Sequence, residues 1–293
     1  MSQNIAPVAV FFVFIALICV IAIFLLTVNG QQENAENFSY YLSAQTPPLT
    51  TLHETELMAF TFEQLAEISN GYLFLVNKSN GVPPIESPMN LVNVSDFVWT
   101  LNGDIQMSED ALVMLQKMFS SAAEIDFTQF RVTEGFRTFE HQQMLYDTAT
   151  DKSLVALPGH SEHQSGLAAD ISYHGVNIGN SRQGTWLMNN SYRYGFILRY
   201  PQHKTEITGL PFEPWHYRYV GQPHAYFMQS KDFVLEEYID FLLRHREIKI
   251  IFGGLEYSVH YLLPGEIIEI PHSHSMSASL DNTGGIIVTS WHE

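Results

Sequence analysis

The sequence predicts an α+β fold carried behind a membrane-spanning helix and followed by a small all-β tail. Amphipathic helical segments mix with short apolar strands, and no regular βαβ repeat runs through the chain. Residues 5–28 form an unbroken apolar run without a charged side chain. From residue 248 the pattern changes to short apolar runs separated by Gly, Pro and Asn, which reads as a compact β unit. The expected organisation is an anchor over 1–28, a spacer over 29–60, a central domain over 61–246 and a β appendage over 247–293.

The apolar run corresponds to ~36 Å of helix, enough to cross a hydrocarbon core of roughly 30 Å. A cleaved signal peptide would carry a basic start and small residues at a cleavage point. Met1-Ser-Gln-Asn4 has no Lys or Arg, and residues 25–30 contain no A-x-A pattern, so the run reads as an uncleaved anchor. The first basic residue after it is Lys78, so flanking charge does not set its orientation. Residues 29–48 are polar, rich in Asn and Gln, and end in Pro47-Pro48, the composition of a spacer.

Residues 61–69 predict a short helix. Residues 71–77, with Tyr, Leu, Phe and Val, predict a first strand, and residues 77–88 a loop. Residues 108–123 predict a helix with Ser108 as N-cap, acids in its first turn, and an apolar face of Ala111, Leu112, Leu115, Met118 and Phe119. Residues 130–136 predict a second strand, and Thr138 caps a helix over 139–148. That junction brings Arg137 and Gln142 toward one cleft. Residues 166–172 predict a strand whose Gly166 and Ala168 permit close backbone approach. A helix is expected over 182–194, strands over 196–200 and 217–220, and a helix over 233–246. In the tail, strands are expected over 249–252, 255–262, 267–270 and 285–290.

Composition narrows the function. Asp plus Glu number 31 against 14 Lys plus Arg, for a formal charge of −17. Nucleic acid and anionic lipid surfaces are therefore poor partners, since both require clustered cations. The acidic surface reads as a solubility device. The single cysteine, Cys19, lies within the apolar run, so the remainder of the chain holds no disulfide and relies on its core.

The chemistry concentrates in two segments. Ser161-Glu-His163-Gln-Ser-Gly166-Leu-Ala168-Ala-Asp170 is followed by Glu213-Pro-Trp215-His216. His163, Asp170 and His216 make the ligand set of a catalytic zinc site: three protein ligands, an open position for water, and Glu213 within reach as base. A lone His–Asp spacing recurs by chance; the two segments in order carry more weight. Trp215 reads equally as a cleft wall or as core. His160, His174 and His203 read as ordinary loop or surface histidines. His272-Ser-His274 has no carboxylate near it in sequence and reads as a weak metal candidate at most.

These residues carry a resemblance. The chain resembles the VanY-type D-alanyl-D-alanine carboxypeptidases, zinc peptidases related in fold to the VanX dipeptidases and the hedgehog domain. The resembling stretch runs over about residues 71–228. It includes Gly71-Tyr-Leu-Phe-Leu-Val-Asn77, Gly135-Phe-Arg137-Thr, the two segments above, Arg199-Tyr-Pro201 and Thr208-Gly209. The resemblance implies an antiparallel sheet with flanking helices, one zinc on His163, Asp170 and His216, and Glu213 as general base. It implies that Arg137, Gln142 (or the adjacent Gln143) and Ser161 lie near the substrate's terminal carboxylate or reacting carbonyl. It implies that the catalytic part faces the cell wall from a single-pass anchor, acting on peptidoglycan stem peptides as a D,D- or L,D-carboxypeptidase. A dipeptidase, an endopeptidase, or a wall-binding module without turnover are the alternatives. The tail lies outside the resemblance.

Overall fold

The computed structural model describes residues 56–82, 90–101, 103–179 and 181–292. The expected membrane helix and most of the spacer lie outside them, and no described helix is long and apolar enough to cross a membrane. Strand β1 (Leu57–Thr61) runs into helix α1 (Phe62–Glu67), where Thr61 and Gln64 satisfy each other's backbone N–H groups in a capping box. Strands β2 (Leu91–Asn93) and β3 (Gln106–Ser108) pair ahead of α2 (Glu109–Ala123). Then come β4 (Phe130–Glu134), α3 (Phe139–Thr148), β5 (Ala168–Tyr173) and β6 (Val176–Asn177). Helix α4 (Arg182–Asn190), β7 (Phe196–Leu198), the single turn α5 (Thr205–Thr208) and β8 (His216–Tyr219) follow. Helices α6 (Gln222–Lys231) and α7 (Leu235–His245) lead to the tail. The tail strands are β9 (Glu247–Phe252), β10 (Leu255–Leu262), β11 (Ile267–Pro271), β12 (Ser275–Leu280) and β13 (Ile286–Trp291).

The central sheet has the order β4-β5-β8-β7, with β6 on β5, and every pair is antiparallel. Helix α2 buries Leu112, Leu115 and Met118 against Val132, Ile171 and Phe196. Those residues recur at helical spacing, so one face enters the core and the acids at Glu109 and Asp110 sit at its positive end. Each such aliphatic side chain contributes roughly 1.5–3 kcal/mol on burial.

Several expectations need correction. Residues 71–77 form no strand, although Leu73, Phe74, Leu75 and Val76 are buried. The carbonyls of Tyr72, Phe74 and Val76 accept from the Arg218 and Arg199 guanidinium groups instead of from a neighbouring strand. The N–H groups of Leu73 and Leu75 donate to Ser279 Oγ and Asp281 O. Ser108 makes no side-chain cap; it ends β3, and its N–H reaches Gly166 O. Helix α4 stops at Asn190 and tightens into a 3₁₀ turn that closes at Gly195, whose φ is +80°. Helix α6 escapes the sequence reading because its buried residues, His224, Ala225, Phe227 and Met228, leave no clean apolar stripe. Strand β12 escapes because serine alternates along it in place of aliphatic side chains.

The tail sheet runs β12-β13-β10-β9 and packs against neighbouring elements on both faces. One face packs Val259, Tyr261 and Ile287 against Ala225, Met228 and Leu242 of α6 and α7. The other packs Leu262, Ile286 and Val288 over Leu65 of α1 and Ile268 and Ile270 of β11. β11 itself pairs with β1, so residues before and after the central sheet share one ribbon.

Candidate active site

Asp170 and His216 face each other across the β5–β8 ladder. Directly opposed residues share a face, and Asp170 Oδ1 lies 3.0 Å from His216 Nδ1. His163 enters from the 3₁₀ turn Glu162–Ser165 before β5, and its Nε2 lies 3.4 Å from the same Oδ1. The two imidazoles meet edge to face with centroids 4.8 Å apart. One ligand atom from each of the three residues lies within 4.8 Å of the others.

The outer nitrogens fix the tautomers. His163 Nδ1 donates to Gly135 O at 2.8 Å, which leaves Nε2 bare toward the centre. His216 Nε2 donates to Glu162 Oε2 at 3.2 Å, which leaves Nδ1 bare toward the centre. Two imidazole lone pairs and a carboxylate therefore converge, an arrangement that needs a cation between them. Burial alone would lower the His216 pKa, but the carboxylates of Asp170 and Glu162 raise it to about 9, so the pair favours a cation on Nδ1, a proton or a metal ion. The donor set, two His and one Asp with each ring held by an outer acceptor, fits zinc.

Glu162 is the residue on which this geometry rests. It is fully buried, and its Oε1 accepts from Arg199 Nε at 2.8 Å and Arg218 Nη1 at 2.9 Å. Burial acts to raise its pKa, and the two guanidinium groups outweigh that and hold it well below the usual carboxylate range. Arg199 forms a second, forked pair with Glu236 of α7, at 2.9 and 2.7 Å. Two buried cations and two carboxylates thus balance behind His216. Neither Glu162 nor Glu236 stands out in the sequence. The available signal was a pair of arginines, Arg199 and Arg218, set within apolar strand-like runs where only paired charges survive.

Arg137 and Gln142 meet as expected. Arg137 Nη1 donates to Gln142 Oε1 at 2.6 Å and its Nε to Glu134 Oε1 at 3.0 Å. Gln142 is buried, and its Nε2 donates to Ala156 O at 2.7 Å. Both ends of that amide are engaged within the protein, so Gln142 aims Arg137. Gln143 instead donates to Asp147. Ser161 is buried on the cleft wall, and its hydroxyl makes no hydrogen bond to the described residues. Trp215 does both things expected of it: it lines the cleft and packs on the core. Glu213 Oε2 lies 4.0 Å from His216 Nδ1, and burial pushes its carboxyl above the ordinary value against the pull of His216. Arg137, Gln142, Ser161, His163, Asp170, Glu213, Trp215 and His216 all border one open cleft of about 420 Å³.

The other histidines fall elsewhere. His160 Nδ1 is bonded to Asn77 O, and His203 pairs with Asp232 on the surface. Among the described residues, His163, Asp170 and His216 form the one cluster of three or more ligands, and His272 and His274 are not in it.

Comparison with known proteins gives a consistent picture. The VanY family, described as D-alanyl-D-alanine carboxypeptidase, matches residues 104–222. A D-alanyl-D-alanine carboxypeptidase of Enterococcus faecium is 35% identical over 248 residues, covering 82% of this chain and 80% of that protein. The crystal structure of the vancomycin resistance D,D-dipeptidase VanXYg, in complex with a D-Ala-D-Ala phosphinate analogue, superposes with a TM-score of 0.69 at 28% identity. It covers 81% of this chain and 99% of its own. A D,D-pentapeptidase VanY mutant from a VanB-type resistance cassette, in complex with Zn(II), has a TM-score of 0.50 at 37% identity. That match covers 57% of this chain and 98% of the other.

Proposed function

The chain belongs to the VanY-type D-alanyl-D-alanine carboxypeptidase family, and from that premise we propose that it is a zinc carboxypeptidase removing the C-terminal D-alanine from peptidoglycan stem peptides. The observation that carries this reading is the convergence of His163 Nε2, Asp170 Oδ1 and His216 Nδ1 beside Glu213 in an open cleft. His163, Asp170 and His216 would hold the zinc, which would supply Lewis-acid polarisation of the scissile carbonyl and a more acidic attacking water. Glu213, its proton affinity raised by burial, takes a proton from that water and passes it to the leaving amine nitrogen. Arg137, aimed by Gln142 and Glu134, receives the terminal carboxylate of the leaving residue, with the Ser161 hydroxyl as a second donor. Trp215 walls the cleft. Glu162, Arg199 and Arg218 keep His216 in its ligand tautomer.

Residues 1–28 are read as a single-pass membrane anchor with the catalytic part on the extracytoplasmic side, supported by the length of the apolar run and by the wall-directed family. Residues 29–56 then act as a spacer, and the catalytic unit runs from β1 through the tail strands that pair and pack with it. Mass spectrometry of stem tetra- and pentapeptides, incubated with the zinc-loaded protein, tests the reaction. Loss of one terminal alanine from the free acid is expected, with the C-terminal amide poorly cleaved because Arg137 loses its charged partner. Release of a dipeptide, or equal cleavage of acid and amide, would replace the reading by a dipeptidase or an endopeptidase.

A further inference from the structure

A second hollow lies away from the catalytic cleft and shares no lining residue with it. It measures about 240 Å³ and sits where the end of β8 and the start of α6 meet the tail sheet. The register explains why it exists. Val259, Thr289 and Ser277 lie side by side across β10, β13 and β12, as do Tyr261, Ile287 and Ser279. This face packs tightly where β10 and β13 offer bulk, but β12 offers only serine, and space remains. A valine or leucine at position 277 would fill it.

The lining has a distinct chemistry. Four aromatic rings border it: Tyr72, Tyr219, Tyr257 and Trp291. Tyr257 and Trp291 lie with centroids 5.7 Å apart, and Tyr72 meets Tyr219 edge-on at 5.2 Å. Between the rings stand Asn70, Gln222 and Ser277, and the Ser277 hydroxyl has no hydrogen-bond partner among the described residues. No Asp, Glu, Lys or Arg lines the hollow, although the chain has a formal charge of −17. A phosphorylated or carboxylated ligand finds no cation there. Asn70 Oδ1 accepts from Tyr72 N–H and Gln222 Nε2 donates to Arg193 O, but an acyl chain would leave the Ser277 hydroxyl, Asn70 Nδ2 and Gln222 Oε1 unpaired. The pattern suits a ligand with flat C–H faces for the rings, hydroxyl or amide groups for the polar side chains, and no charge.

We propose that this hollow binds one unit of a neutral saccharide, so that the molecule has a sugar site at its tail sheet separate from its peptide cleft. Calorimetric titration of the full-length protein with N-acetylglucosamine trimer, and in parallel with cellotriose, tests it. Saturable binding of either trisaccharide is expected. Trp291→Ala removes a stacking face and Ser277→Leu fills the space; each should weaken binding at least tenfold while zinc content and cleavage of a soluble stem peptide stay unchanged. The Ser277→Leu protein should melt no lower than the parent, so lost binding there is not lost folding. Absence of saturable binding by both sugars at millimolar concentration overturns the proposal, as does binding that neither substitution alters. Sugar binding is read without turnover, so its failure is distinguishable from failure of the carboxypeptidase reading.

Discussion

Glu213 and Glu162 show how two carboxylates near one histidine take opposite parts. Glu213 faces the cleft, and burial raises its proton affinity. Glu162 faces the core, and two arginines keep it ionised. Glu213→Gln should therefore bind zinc as the parent does and lose turnover by about 10²–10⁴-fold, because an amide accepts no proton from water. Zinc content by atomic absorption beside the cleavage rate checks both halves; full activity in a zinc-loaded Glu213→Gln protein would assign the proton transfer elsewhere. The ligand types were legible in the sequence because two short segments hold all of them at fixed spacing. Glu162 was not, since its neighbour His163 draws the eye and its partners Arg199 and Arg218 lie 37 and 56 positions away. Gln142 was legible as a cleft residue. Its engagement with Ala156 O depends on where residues 149–156 run, and no local pattern encodes that.

At the scale of elements, helix α7 matters to the metal without touching it. Its Glu236 forks onto Arg199, which holds Glu162, which orients His216. Glu236→Gln should weaken zinc binding by roughly tenfold, the usual cost of disturbing an outer-shell partner. Asp240→Asn, on the exposed side of the same helix, should leave it unchanged. Chelator competition reads both, and equal affinity in the two variants would break this chain of contacts. Helix α6 carries a different buried group. His224 bonds Tyr238 and Thr289, and burial lowers its pKa to about 3. The unfolded chain takes up a proton near pH 6.5 that the folded chain refuses. Stability is then complete above about 6.5 and falls as the pH drops toward about 3, by up to ~1.4 kcal/mol per pH unit. Melting temperatures between pH 6.5 and 5 should fall less steeply in His224→Gln, measured with zinc removed from both proteins. Strong helices such as α2 were legible from periodicity. α6 and β12 were not, because buried histidine and serine disguise an inward face.

For the whole molecule, the sequence reading placed the tail apart from the catalytic part, and the contacts join them. β1 pairs with β11, and the tail sheet buries α6 and α7 on one side and α1 on the other. The α+β class was legible in the irregular order of elements. The pairing of residue 57 with residue 271 was not, since register between distant strands has no local signature. A chain ended after Arg246 should fail to bind zinc and should expose apolar surface to a dye such as ANS. Tight zinc binding by that shortened chain would restore the tail to a mere appendage.

The irregular segment 71–77 gives this union a temporal meaning. Its N–H groups are held by Ser279 and Asp281, and its carbonyls hold the two arginines behind His216. A polypeptide is synthesised from its amino end, so Ser279 and Asp281 emerge after all three ligands, His163, Asp170 and His216. All three ligands can therefore have emerged while the segment that supports the arginines behind His216 still lacks its own anchors. Until they arrive, a nascent copy that already carries every ligand is expected to be a latent hydrolase.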